Sequence, residues 1–350
     1  DGKCTEFLMI NVDGRRINDP DTFSLPEIAD ACEKHGELVV QFTEAGAYSP
    51  PLLEVLNEAC GLFQSRLQVR FYWHQDEAFD ARVLRHLPEV RNLSLDCLSQ
   101  IAHEDEIGRL PKLERLHFGV FEFDRPDFLN SLRLGALERL SLAENRKRNF
   151  DLAPVKHCVS LRDFFVQGHA RNIGAIVDLP QLSKLTLSAF AKKHALDFAG
   201  AIPNLKELML IIGGRTDIDD LSSASIEVLQ ILRVRGLTTL GDLSRFPALS
   251  ALRLEDQLQL TSLDLGGADL ERLSLANCKN LTELQGLDRQ RRLREFSASQ
   301  VALDMNALLE RDWPASMRSV RLFTNSLKWN DAAAMHLAGR KLGEAGSEWM

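Results

Sequence analysis

Apolar residues recur along the chain in a six-position pattern whose first, fourth and sixth positions carry leucine or another apolar side chain. The pattern occurs eleven times, and successive copies begin 20 to 24 residues apart. The first positions are Val90, Leu113, Leu137, Leu161, Leu182, Leu205, Leu229, Leu249, Leu270, Leu293 and Met317. Since side chains alternate along a strand, the fourth and sixth positions of each copy point to the same side. One copy cannot bury that side alone, so we predict that the copies stack around a shared core.

Proline marks the approach to five of the copies. It lies two residues before the first position and follows an apolar residue at Pro88, Pro111, Pro180, Pro203 and Pro247. The fixed φ of proline and its missing amide hydrogen suit a point where the chain turns into a new strand. This second periodic feature supports the same register for the repeats.

The seventh copy fits two registers. Leu229, Leu232 and Val234 match the template, and a frame that begins at Ile226 matches it nearly as well. We prefer the first frame because its apolar series continues beyond the template. The continuing residues are Leu237, Leu240, Leu243 and Phe246. The choice matters because it determines which side chains of this copy face solvent.

The template and its spacing resemble those of leucine-rich-repeat proteins, over roughly residues 66–325. This resemblance implies an α/β solenoid, with parallel strands on a concave face and short helices or turns on the convex face. The ninth position is often asparagine in that family. Here it is asparagine at Asn145 and Asn325 but His169, Gln257 or Cys278 in other copies. The copies are therefore irregular, as in many bacterial repeat proteins, and we expect His169 and Cys278 to be turn or core residues.

The segments that flank the repeats have their own helix and strand signals. Ser24 to Glu27 predicts a helix start with a serine cap, and His35-Gly36 predicts its end. The composition further predicts strands at Leu38–Phe42 and Leu67–Trp73, helices at Pro51–Phe63 and Asp76–Leu87, and a possible edge strand at Phe7–Val12. We expect residues 1–86 to form an α/β cap continuous with the solenoid, because an end repeat otherwise exposes core.

Residues 87–325 then hold the eleven repeats, and residues 326–350 form the C-terminal region. Its composition predicts a capping helix at Asn330–Leu342 and a mobile tail at Gly343–Met350.

The third, fifth and seventh positions of the copies are expected to pave the concave face. Phe165, Met209 and Ile211 are large apolar residues at such positions, which suggests a contact surface unless a loop or the curvature covers them. Arginines gather in the seventh to ninth copies, at Arg233, Arg235, Arg253 and Arg272. Arginine suits binding of carboxylate or phosphate, although Glu255 among them leaves an internal ion-pair lattice as the alternative. Arg115, His117 and Arg139 complete the predicted partner-binding set.

Composition narrows the class of partner. The 42 basic and 50 acidic residues of this 350-residue chain give a net charge of −8, which argues against wholesale nucleic-acid binding.

The six cysteines are scattered, so we predict neither a zinc site nor a disulfide framework and favour a reducing compartment. No apolar run approaches the roughly 18–20 residues that span a bilayer. A cytoplasmic protein is expected, although a removed targeting segment stays open.

No phosphate-binding loop, zinc-protease motif or serine-hydrolase motif is present in the sequence. His117 has no obvious serine or cysteine partner on its own or an adjacent strand, so we predict no enzymatic activity and no cofactor or metal. The leading hypothesis is protein recognition on the concave face, with a partner that carries an acidic patch. A bacterial toxin-neutralising immunity protein or an adaptor would fit. The alternatives are a substrate-recognition subunit of a ligase or effector assembly, and a ligand or nucleic-acid binder that uses the arginines.

Overall fold

The computed structural model describes residues 15–44, 46, 48–72, 77–190 and 194–346. The chain divides into two compact units, Asp1–Leu182 and Ser183–Met350, called unit 1 and unit 2. In each unit, seven parallel strands of the described residues lie side by side in chain order. Each of these strands from Asn92 onward comes from one copy of the repeat, and this confirms the expected leucine-rich-repeat architecture.

Unit 1 combines these strands with three α-helices in its described part. The strands are β1 (Arg15–Asn18), β2 (Leu38–Phe42), β3 (Leu67–Tyr72), β4 (Phe79–Asp80), β5 (Asn92–Leu98), β6 (Ile101–Ala102), β7 (Arg115–Val120), β8 (Arg139–Leu142) and β9 (Asp163–Gln167). The helices are α1 (Leu25–His35), α2 (Pro50–Phe63) and α3 (Asp105–Arg109). The sheet order is β1-β2-β3-β5-β7-β8-β9, and β4 pairs only with β6.

Unit 2 repeats the arrangement. Its strands are β10 (Lys184–Ser188), β11 (Glu207–Ile211), β12 (Val228–Leu232), β13 (Ala251–Glu255), β14 (Ser262–Asp264), β15 (Arg272–Ala276), β16 (Glu283–Gln285), β17 (Glu295–Ser299) and β18 (Ser319–Phe323). Its helices are α4 (Asp197–Gly200), α5 (Met305–Glu310) and α6 (Leu327–Gly339). The sheet order is β10-β11-β12-β13-β15-β17-β18, with β14 beside β16.

The core lies behind the sheet of each unit, where the fourth and sixth positions stack. Leu116 of β7 is level with Leu140 of β8, and both are almost completely buried. Leu208 of β11 is level with Leu229 of β12 in the same way. Each buried leucine contributes about 1.5–3 kcal/mol from the transfer of its side chain out of water. Continuity of this column therefore holds successive copies together.

The flanking segments follow the predicted elements in most places. Helix α1 begins after Ser24, whose amide donates to the Glu27 carboxylate over 2.9 Å, and it ends at His35, before Gly36, where φ is 76°. Helix α6 begins at Leu327, three residues earlier than expected, because the Ser326 hydroxyl caps the Trp329 amide.

One expectation about the flanks is wrong, and others fall partly outside the described residues. In place of a helix at Asp76–Leu87, Phe79 pairs with Ile101, and a 3-10 helix follows at Ala81–His86 because Asp80 caps the amide of Arg82. Gly343 pairs with Ser319 of β18, and the mobile tail at Gly343–Met350 stays a prediction. The predicted strand at Phe7–Val12, along with Trp73, Asp76 and residues 347–350, lies outside the described residues.

The preferred register of the seventh copy is wrong. Leu229 and Ile231 of β12 pair with Leu208 and Leu210, so Ile226 is the first position of the copy. The backbone fixes this frame independently, because the eighth position of most copies has a positive φ. These residues are Cys97, Gly168, Ala189, Ile212, Arg233, Asp256, Asn277 and Gln300. The preferred frame would place Arg233, with φ 55°, in mid-strand, where that backbone conformation does not occur.

Some ninth-position side chains bond backbone carbonyls, as the family's asparagine would. Gln257 donates to the carbonyl oxygens of Ile231 and Glu255 at 3.2 and 2.7 Å. His169 accepts the Phe150 amide at Nδ1 and donates from Nε2 to Ala143, and burial lowers the pKa of its imidazole. His169 and Cys278 are fully buried, as expected for turn or core residues.

Candidate functional site

The strand face is the side of each sheet that carries the third, fifth and seventh positions of the copies. In unit 2 its most apolar part lies on β11 and β12. Met209, Ile211, Val228 and Leu232 are all partly exposed there, and we call these four residues the apolar patch. Ile211 lies directly beside Leu232 in the parallel pairing of the two strands. The sequence prediction named Met209 and Ile211 but missed Val228 and Leu232, because the wrong register moved them off this face.

Charged and polar groups surround the apolar patch, and Gln230 lies within it, level with Met209. These groups are paired with each other. Lys184 lies 3.1 Å from the Glu207 carboxylate, and the Gln230 amide donates to the same carboxylate over 2.9 Å. On the other side, Arg253 donates to Glu255 over 2.6 Å. An apolar centre with a polar rim is the usual composition of a protein-binding surface.

The structure does not bring the four predicted arginines together on the strand face. Arg233 occupies the turn after β12 and bonds Asp256 over 2.8 Å. Arg235 also lies beyond the strand, where its backbone forms a bridge with Gly214. Arg253 and Arg272 remain on the strand face, on β13 and β15. The expected arginine strip is therefore wrong for the first two residues, because the true register shifts them past the strand end.

Phe165 does not belong to an exposed apolar surface either. Although it occupies a fifth position on β9, only 6% of the residue is exposed. The sequence left two alternatives for Phe165, an exposed contact surface or a covered side chain, and the covered side chain is correct. Phe165 therefore offers a partner almost no area.

In unit 1 the strand face carries a row of polar side chains across five neighbouring strands. Arg70 of β3 donates to Gln41 of β2 over 2.6 Å and pairs with Asp96 of β5. Asp96 Oδ1 lies 3.4 Å from His117 Nε2 of β7, a contact rather than a well-formed hydrogen bond. His117 Nδ1 lies 2.7 Å from Ser141 Oγ of β8. We call Gln41, Arg70, Asp96, His117 and Ser141 the polar row.

The serine beside His117 corrects the sequence expectation, which found no such partner on an adjacent strand. Gly119 leaves room for the Asp96 contact, since a β-carbon at that position would lie 3.3 Å from His117 Nε2. A serine nucleophile would also need donors for an oxyanion. Ser141 lies in mid-strand, where the backbone pairs with β7 and β9, so its neighbouring amides are committed to the sheet. The arrangement favours hydrogen bonding over acyl transfer.

Asp96 is the electrostatic centre of the polar row. Its burial would raise the pKa of its carboxyl group, but the neighbouring His117 and the Arg70 guanidinium hold that pKa well below its usual range. The Arg70 side chain is only 4% exposed, so each charge depends on the other for compensation.

The remaining predicted residues of unit 1 are also paired. Arg115 lies 3.1 Å from Glu37, and Arg139 lies 3.0 Å from Asp163. Arg139 is the more accessible of the two, with half of its side chain exposed. Arg115, His117 and Arg139 thus share one face and are held in defined positions.

The described residues contain no group of three or more metal-ligating side chains. Within the same ranges, none of the helices has the length and apolar character that crossing a bilayer requires. Five cysteines are described, and all are buried free thiols: Cys32, Cys60, Cys97, Cys158 and Cys278.

No protein-family model and no curated protein sequence matches the chain. Among solved structures, an internalin from Listeria monocytogenes is similar at 17% identity over 83% of this chain and 80% of that one, with a TM-score of 0.41. A leucine-rich-repeat protein from Leptospira interrogans is similar at 15% identity over 77% and 85%, with a TM-score of 0.42. A Drosophila Toll–Spatzle complex gives 16% identity over 88% and 46%, with a TM-score of 0.46. The fold is therefore established by the chain's own repeats rather than by these similarities.

Proposed function

We propose that this leucine-rich-repeat protein is a non-enzymatic recognition module that holds a protein partner on the strand face. The observation that carries the proposal is the apolar patch of Met209, Ile211, Val228 and Leu232 on two adjacent strands of unit 2. Apolar side chains that stay partly in water gain free energy when a partner covers them, at roughly 25 cal/mol for each Å² buried.

The rim around the patch favours a protein over a nucleic acid. A surface that binds phosphates needs cations free to replace counterions. Here Lys184 and Arg253 are already paired with carboxylates in the same sheet, and the chain carries a net charge of −8. An acidic patch on the partner would meet Arg253 and Arg272 at one margin of the apolar patch, by exchange of existing ion pairs.

Within this class we propose an immunity protein that neutralises a bacterial toxin, or an adaptor. Either role requires tight binding of one protein and does not require that a chemical reaction be catalysed on it. A cytoplasmic location suits the five described cysteines, which are all free thiols, because a reducing compartment keeps thiols unpaired.

The test is an affinity pull-down from the native source, read by mass spectrometry. A variant with Met209→Asp and Leu232→Asp would run beside the wild type and beside Leu258→Asp, which changes a leucine that is 48% exposed in a turn of the same unit. We expect a partner that the wild type and the control retain and the patch variant loses.

Matched thermal melts would show that all three proteins are folded. A partner retained equally by the patch variant would overturn the proposed site. A second subunit that stayed bound to all variants and required residues 1–86 would instead support the ligase or effector alternative.

A further inference from the structure

A cavity of about 290 Å³ opens in unit 2 beyond the carboxyl ends of β15, β17 and β18. The residues that line it lie at the ends of these strands or within three residues after them: Lys279, Gln300, Val301, Phe323, Thr324 and Asn325. Pockets for small ligands usually span about 300–1,000 Å³, so this one would hold a group the size of one or two amino-acid residues. None of its residues belongs to the apolar patch.

Polar side chains of the cavity have hydrogen-bond donors that no other group of the described residues uses. Across the described residues, the Lys279 ammonium has no ion-pair partner, and the side-chain amides of Gln300 and Asn325 have no hydrogen bond. Lys279 lies beyond the strand face and is exposed, whereas Arg253 on the strand face is paired with Glu255. An ammonium carries three donors and an amide two, so the cavity offers several donors and one positive charge.

The cavity wall combines an apolar surface with a fixed backbone. Phe323 is 46% exposed at the end of β18, and it is the largest apolar side chain among the lining residues. Thr324 next to it is held at three points, because its amide and hydroxyl donate to Asn330 Oδ1 over 2.8 and 3.0 Å and its carbonyl accepts from Asn330 Nδ2. The wall is thus positioned before any ligand arrives, which lowers the entropic cost of binding.

We propose that this cavity is a binding site for a carboxylate carried beside an apolar side chain. The Lys279 ammonium pairs with the carboxylate, the amides of Gln300 and Asn325 donate to its oxygens, and the Phe323 ring contacts the apolar group. One ammonium matches a single negative charge, and the size of the cavity matches a short peptide segment. The carboxylate could belong to a chain terminus or to an acidic side chain, since both present the same two oxygens.

The test compares two small probes by ligand-observed NMR titration: N-acetyl-L-phenylalanine and its amide, which keeps the ring and removes the charge. The wild type should bind the acid about tenfold more tightly than the amide, as expected for one charge-assisted contact. Lys279→Gln should bring the two dissociation constants together. The control Lys328→Gln removes an exposed lysine outside the lining and should preserve the tenfold ratio.

Phe323→Ala should weaken both probes while it leaves their ratio unchanged. Equal binding of acid and amide by the wild type would overturn the proposal, and so would a tenfold ratio that survives Lys279→Gln. Two peptides then assign the source, acetyl-Ala-Phe with a free carboxyl terminus and acetyl-Asp-Phe-amide. Tighter binding of the first assigns the site to chain ends, and tighter binding of the second assigns it to acidic side chains. These titrations need no protein partner, so their outcome is separate from that of the pull-down.

Discussion

On the strand face of unit 1, each side chain of the polar row is held by contacts with its neighbours. Asp96 lies at the centre of these contacts. It pairs with Arg70, which itself donates to Gln41, and it approaches His117, which contacts Ser141. Such a row fixes side-chain orientations across several strands. A partner would therefore meet an ordered polar surface with little side-chain entropy left to lose.

Asp96→Asn should lower the free energy of unfolding by about 3 kcal/mol or more at neutral pH, because it leaves the buried Arg70 charge without a counter-ion. The depressed pKa of Asp96 sets the pH dependence. Its stabilisation is present above the unfolded value of about 4 and is lost as the pH falls through the lower folded value. The difference between wild type and variant should therefore shrink below about pH 4.

Urea unfolding at several pH values measures this difference. Asp124→Asn is the matched control, since Asp124 pairs with Arg148 on the surface with both side chains more than half exposed. Exposed pairs contribute about 0.2–1 kcal/mol, so the control should change little. An equal loss in both variants would contradict the importance assigned to burial of the Arg70–Asp96 pair.

Among the structural elements, β12 shows what sequence periodicity can and cannot predict. Leucine spacing predicted every repeat strand, because burial of the fourth and sixth positions is a strong, periodic requirement. Leu229 fits either frame, and only the pairing with β11 and the positive φ of Arg233 decide between them. A slip of three residues changed which side chains face solvent, so half of the apolar patch and half of the arginine set were misplaced.

Leu229→Ala and Leu232→Ala test the register of β12 directly. Leu229 fills a fully buried fourth position, so its truncation should cost about 2–5 kcal/mol in unfolding free energy. Leu232 is a partly exposed seventh position, and its truncation should cost less than about 1 kcal/mol while weakening partner binding. Chemical denaturation of both variants gives the comparison, and the reverse order of costs would reject the register.

The partners of individual side chains were less predictable than the strands. His117 and Ser141 are the fifth positions of neighbouring copies, so the repeat register already places them side by side. The hydrogen bond between them depends on rotamers, which the sequence does not give. The sequence could not show that Phe165 is covered, since coverage depends on residues distant in sequence. The cavity around Phe323 was missed for the same reason, because it forms between the ends of three strands.

At the scale of the whole molecule, the chain is acidic overall, yet its strand faces are close to internally neutralised. Lys184 with Glu207, Arg253 with Glu255 and Arg139 with Asp163 illustrate this pairing. Cations that are already paired release few counterions when a partner binds. Such a surface selects its partner more by shape and apolar contact than by long-range attraction.

The affinity for the partner recovered by pull-down should therefore depend weakly on salt. We expect the dissociation constant to change by less than about threefold between 50 and 200 mM NaCl, whereas a protein with 6–10 phosphate contacts loses about 10³–10⁵ in affinity. Isothermal titration at three salt concentrations measures the slope. A steep loss of affinity with salt would favour the ligand or nucleic-acid alternative over the apolar patch.

The recurring left-handed residue at the eighth position has a consequence for how such a chain can change over generations. That backbone conformation normally favours glycine or asparagine, yet it is held here by alanine, arginine and even the β-branched Ile212, whose φ is 58°. The stacked neighbours impose the turn whatever side chain occupies it. Homologues of this protein can therefore lose the residues of the motif and keep the same turn. Their relationship would then be detectable in the backbone conformation after it is no longer detectable in the sequence.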